Sequence, residues 1–135
     1  MITVNVSKQS NFPIKASLIK KKLREFLIKE GIVSDCVVSV AIVNASKMLE
    51  MGKKHLKDPP NGEASKILHN VLSFTESEIK GDFIYPPDGK IYLGDIIICY
   101  PKVLEEAREE GILIDEKACE LVEHGALHLL GKHHE

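Results

Sequence analysis

Histidine is the residue type whose spacing says most about chemistry in this chain. Near the C-terminus the sequence runs His124-Gly-Ala-Leu-His128-Leu-Leu-Gly131-Lys-His133-His134. Residues four apart on a helix project from one face about one turn from each other. Two imidazoles so placed can share a tetrahedral ion. Gly131 predicts the end of that helix, because glycine takes the backbone conformation that turns the chain back. A third imidazole from the residues that follow would then close over the first two. Three neutral imidazoles suit Zn²⁺, and three protein ligands leave a fourth position for water, as in catalytic rather than structural zinc sites. The plainer alternative is an accidental pair followed by a His-rich tail. The conjunction of pair, glycine and third histidine weighs against it.

The position after the first histidine matters equally. In HExxH metalloproteases a Glu there serves as general base. Here the residue is Gly125. Either the base comes from elsewhere or a zinc-bound water, with its pKa falling toward ~7, is acidic enough to attack unaided. Glu123 and Glu135 are the remaining candidates, and Glu123 projects roughly 100° from His124 around the helix, which argues against it.

The elements that must carry these residues are legible from periodicity. Ile2, Val4 and Val6 alternate with polar residues, predicting a half-buried strand. Ile14, Leu18, Ile19, Leu23, Phe26 and Leu27 recur at helical spacing up to Lys29, and Glu30-Gly31 stops that helix. Val37–Val43 reads as a strand buried on both faces. Asn44 or Ser46 is placed to cap a helix running to about His55. Residues 57–66 contain Pro59-Pro60 and Asn61-Gly62 and read as a loop, as do the polar residues 75–90. Asn70–Phe74 is a short strand, and Ile91–Cys99 is a strongly apolar one interrupted by Gly94-Asp95. Pro101 opens a short helix to Glu110. Asp115 is a good N-cap for the last helix, which ends at Leu130. This order predicts an α+β protein: a single domain over residues 1–135, with a small mixed β-sheet of about four strands and about four to five helices.

Composition sets limits. A net charge of −2 and a pI near 6.3 exclude a protein held on nucleic acid by bulk charge, but leave room for local basic patches. Lys53, Lys54 and Lys57 form one candidate patch, and Lys20–Lys22 with Arg24 another. A solvated helix face is the plainer reading of each. Cys36, Cys99 and Cys119 form no CxxC pair and sit among apolar or helix-compatible residues, as buried free thiols do. Asp95, interrupting an apolar strand, requires a bonded carboxylate. It is read either as orienting a histidine ligand or as anchoring a loop. Ser73 is read as bonding backbone or lining the cleft. With no signal-peptide pattern and no run long enough to span a bilayer, a soluble cytoplasmic protein is expected.

The stretch HGALHLLGKHH resembles HGxLHLxGYDH, the signature of the YbeY-type endoribonuclease family of bacterial rRNA maturation factors. Asn70-Val-Leu-Ser-Phe74 is similar to that family's T(D/N)VLSF, and Leu93–Cys99 to its LGDIxIC/S strand. The three blocks occur in the family's order, and the resemblance covers most of the chain from about residue 40. It implies a zincin-like fold with one Zn²⁺ per chain on the C-terminal helix. The ligands it implies are His124, His128 and His134, with His133 standing where the family has Asp and Lys132 where it has Tyr. It further implies cleavage of single-stranded RNA in rRNA maturation (the 16S 3′ end) and ribosome quality control. Zinc would then bind a phosphate oxygen and present hydroxide, with His124 and His128 at the reacting centre. RNA, the ribosome or its assembly factors become the expected partners, with no membrane. The family's arginine segment before the VLSF strand corresponds here to Met51–Lys57, which holds no arginine; Lys53, Lys54 or Lys57 would supply the charge without arginine's bidentate fork. His69 replaces the usual Thr before Asn70. Two alternatives remain: a zinc peptidase or other metallohydrolase, and a non-catalytic assembly factor stapled by zinc.

Overall fold

A computed structural model describes residues 1–55, 67–75 and 91–131. In chain order these form β1 (Ile2–Lys8), α1 (Ala16–Lys29), β2 (Cys36–Val43), α2 (Ala45–His55), β3 (Val71–Thr75), β4 (Ile91–Cys99), α3 (Tyr100–Glu110) and α4 (Ile114–Leu129). The order is the expected one: strand, helix, strand, helix, two strands, two helices. The loop read at 57–66 and, of the one read at 75–90, residues 76–90 lie outside the described residues; Thr75 is not loop but the last residue of β3.

The four strands make one mixed sheet ordered β1-β2-β4-β3. β1 pairs with β2 and β2 with β4 in parallel, while β3 runs antiparallel along β4. Each parallel step is bridged by a helical crossover, as parallel strands require. Alternation sorts the side chains onto two faces. Val4, Val38, Val40, Ile96 and Ile98 pack against Ile19, Leu23 and Leu27 of α1 and Leu121, Val122 and Ala126 of α4. Leu72, Phe74, Ile97 and Cys99 pack against Met48 of α2 on the other side. All three cysteines are buried and free, and burial pushes each thiol above its ordinary pKa, Cys119 to about 11.

Two local expectations are corrected. β2 is not buried equally on both faces: Val38, Val40 and Ile42 are buried, whereas Val37, Ser39 and Ala41 are only half-buried. The physical reason is coverage, two helices on one face against α2 on the other. Asp115 is not the N-cap of α4; Leu113 is, without a side-chain bond. The Asp115 carboxylate instead accepts the backbone N–H of Lys15, at the start of α1, at 2.8 Å. It thereby ties the two helix starts together while keeping the favourable position of an acid in a first turn. Asn44 does cap α2, its Oδ1 accepting the Lys47 N–H at 2.9 Å.

Candidate active site on the last helix

α4 forms because its apolar residues recur at helical spacing. Ala118, Val122, Gly125, Ala126 and Leu129 are buried on the sheet side. With that stripe fixed, the period of the helix turns Lys117, Leu121, His124 and His128 onto one flank. His124 and His128 are exposed there, one turn apart. Gly131 follows with φ +75°, a conformation that other residues rarely adopt, so the chain turns as its glycine predicts. His133 and His134 lie outside the described residues. Among the described residues no three His, Cys, Asp or Glu side chains converge on a metal position. The described part of the site is therefore two imidazoles on one flank, a donor pair that suits a divalent transition metal.

Gly125 shows why no glutamate follows His124. A Cβ there would lie 2.8 Å from Ile96 Cγ2. A side chain at this position would force the Ile96 side chain of β4 to shift, and a carboxylate would be driven into the apolar interior.

The end of the β3–β4 ladder is where the molecule's parts meet. β4 carries an extra residue opposite Val37/Val38, and Gly94 beside that bulge has φ +139°. A Cβ on Gly94 would lie 2.1 Å from the Phe74 carbonyl oxygen and 3.0 Å from Leu129 Cδ2. The last turn of α4 thus abuts the end of edge strand β3. From the opposite face, the ring of His55 at the end of α2 lies 5.2 Å from that of Phe74. Lys53 and Lys54, exposed on the same last turn, belong to α2 and so share no sheet face with His124 and His128. The two sets straddle the edge strand. Lys57 lies outside the described residues. Lys20, Lys21, Lys22 and Arg24 are exposed on α1, where Arg24 Nε donates to the Ile2 carbonyl.

Alternation directs Asp95, with Ile97 and Cys99, to the α2 face, away from His124 and His128. Ser73 and Thr75 share the α4 side of β3 with Val71, which packs in the larger core.

A cavity of about 530 Å³ adjoins His124, lined by Asn70, Glu106, Lys117, Glu120, Leu121 and Leu127, with Phe26 and Glu123 at its α1 end. Lys117 is buried, its ammonium 2.6 Å from Glu110, 3.0 Å from Glu120 and 3.7 Å from Glu106. Burial lowers its pKa, but the hydrogen bonds and charges of Glu110 and Glu120 win, leaving it raised. Burial raises Glu123, against the opposing pull of Lys22 and Lys29. Sequence reasoning missed Glu106 and Lys117. The signal was the shared helical flank of Lys117, Leu121 and His124.

The model of the family described as Endoribonuclease YbeY matches residues 4–135. A relative of that description from Roseiflexus castenholzii is 29% identical over 136 residues, covering 100% of this chain and 80% of its own. Another from Acinetobacter baumannii is 32% identical over 138 residues, covering 98% and 81%. The solution structure of a Thermotoga maritima protein superposes with a TM-score of 0.57 at 25% identity, over 98% of this chain and 75% of that one. With the fold, the paired histidines and these matches in agreement, this chain belongs to the YbeY endoribonuclease family.

Proposed function

We propose that this chain is a metal-dependent endoribonuclease that hydrolyses phosphodiester bonds in single-stranded RNA, working as one domain over residues 1–135. The observation that carries the reading is the exposed His124/His128 pair, held on a helix whose opposite face is locked into the sheet. Zn²⁺ fits this donor pair, with His134 as the expected third ligand. When bound, it supplies Lewis-acid activation of the phosphodiester and a more acidic water.

The chain's own residues do the rest. His124 and His128 hold the reacting centre on the flank that faces β3. Gly125 and Gly94 let the helix and the edge strand approach closely enough to form one wall. Lys53 and Lys54, across the β3 edge, are placed to hold phosphates of a strand lying along it, as point charges rather than bidentate clamps. Ribosomal RNA maturation and ribosome quality control in the cytoplasm are the setting we infer. No described helix is long and apolar enough to cross a membrane.

The peptidase alternative loses its usual base to the packing at Gly125. The assembly-factor alternative predicts metal without cleavage. Elemental analysis of untagged wild-type protein and His128→Ala, with both assayed on single-stranded RNA, separates the readings. One metal per chain, lost together with cleavage in the variant, is the expected result. Metal without cleavage in the wild type would favour the assembly factor, and no metal would remove the proposed centre.

A further inference from the structure

The cavity beside His124 has a wall that the histidine pair does not use. Asn70 Nδ2 donates to Glu106 Oε1 at 3.1 Å, and Lys117 lies 3.7 Å from that same oxygen. Lys117 faces Glu106, Glu110 and Glu120 with a side chain only 6% exposed. The charged groups lining the cavity itself are Lys117 with Glu106, Glu120 and Glu123, one positive against three negative, or −2. A phosphate is repelled from such a wall, and no described set of side chains there can hold a metal. What the wall offers is hydrogen-bond acceptors in excess, beside the apolar surfaces of Leu121 and Leu127. The volume is in the range of small-ligand pockets.

These properties select among nucleobases. A carboxylate accepts two adjacent N–H donors in a fork, which is stronger than a neutral pair of bonds. Guanine presents N1–H and N2–H side by side, with the O6 acceptor next to them. Adenine and cytosine set a ring-nitrogen lone pair beside their amino group, opposed to a carboxylate. Uracil has one N–H between two carbonyls. Among the described residues Glu106 Oε1 accepts one hydrogen bond, from Asn70, and its contact with Lys117 is a longer ion pair, so Oε2 and the second lone pair of Oε1 can take the two base N–H groups. The Asn70 amide has a second N–H for O6.

We propose that this cavity is a guanine subsite beside the cleaved phosphate, in which Glu106 and Asn70 read the base's Watson–Crick edge. The proposal rests on the endoribonuclease reading and adds a base preference to it.

Titration of the full-length protein with GMP, IMP, AMP and CMP, followed by NMR at the Asn70 side-chain amide and the Leu121 and Leu127 methyls, tests it directly. GMP should bind at least about tenfold tighter than IMP, which lacks only the N2 amino group. Glu106→Gln, checked for folding by circular dichroism, should erase that ranking. Cleavage of oligonucleotides carrying guanosine or inosine at one position should show the same preference in the wild type. If all four nucleotides bind within twofold, or GMP leaves the Asn70 amide unmoved, the subsite is overturned even if RNA is cut. If the GMP ranking holds but no RNA is cut, the endoribonuclease reading fails and the subsite stands.

Discussion

The two faces of the sheet are held very differently. On one, nineteen buried residues, from the sheet, from α1, α3 and α4, and Ile14 just before α1, form the larger core among the described residues. On the other, six buried residues close the space beneath α2. The histidine pair belongs to the first face and Lys53 and Lys54 to the second. The pair proposed to hold an ion in fixed geometry sits on the heavily packed side. The charges that would meet a polymer backbone tolerate a lighter anchor, because a lysine acts as a point charge on a flexible stem. Where the faces meet, at Gly94, the backbones of β3 and β4 and the last turn of α4 crowd one point.

Breaking that meeting point should have the largest effect. Gly94→Val puts a side chain where the Phe74 carbonyl already lies, at a φ that branched residues do not adopt. We expect a loss above about 4 kcal/mol, or no folded protein, in urea unfolding. Wild-type stability in this variant would show that β3 is not seated as described.

Next come matched truncations on the two faces. Leu23→Ala should cost about 3–4 kcal/mol, and Met48→Ala about 2–3 kcal/mol, on the scale of buried large-to-alanine changes. Hydrogen exchange sharpens the contrast. Met48→Ala should speed exchange in α2 while leaving α4 amides protected, and metal stoichiometry should not change. Equal loosening of both helices would mean the faces are one cooperative unit.

The sequence made much of this arrangement readable. The helix bearing His124 and His128, its stop at Gly131 and the order of elements all follow from local periodicity and turn chemistry. Long-range partners did not. Asp115 has every local mark of an N-cap, yet its carboxylate is taken by Lys15, a hundred residues earlier in the chain. Nothing in β2 says that, among the described residues, α2 is the helix that covers its second face. Asp95 looks like an orienter because a carboxylate in an apolar strand needs a partner, but only the register shows which face it joins. The Asn70–Glu106–Lys117 wall joins the start of β3 to the two last helices, with Asn70 36 residues before Glu106, so only the shared flank of Lys117 and His124 hints at it.

A smaller, pH-dependent effect probes that wall. The folded pKa of Lys117 is raised by its glutamates, above an unfolded value near about 10.4. Its ion pairs therefore contribute fully below about pH 10, and the contribution is lost as pH rises through the folded value. Lys117→Met should be less stable than wild type at pH 7, by roughly 1–3 kcal/mol given that Glu110 and Glu120 are half-exposed. The difference between the two proteins should shrink above pH 10. A difference that stays constant would assign the effect to packing.

The smallest effect on stability is expected from Lys53→Ala combined with Lys54→Ala, within about 0.5 kcal/mol of wild type. Its signature is in binding. The slope of log affinity for single-stranded RNA against log salt should fall by about 1.4, because two fewer phosphates are neutralised. An unchanged slope would place the strand elsewhere.

The central claim is that the His124/His128 face holds the metal on which RNA hydrolysis depends. The most direct test is the cleavage rate of a single-stranded RNA by chelator-stripped protein as zinc is added back. The rate should rise from near zero and saturate at one equivalent per chain, and His128→Ala should stay flat. Full activity in the stripped protein, or saturation unaffected by His128→Ala, would contradict the account.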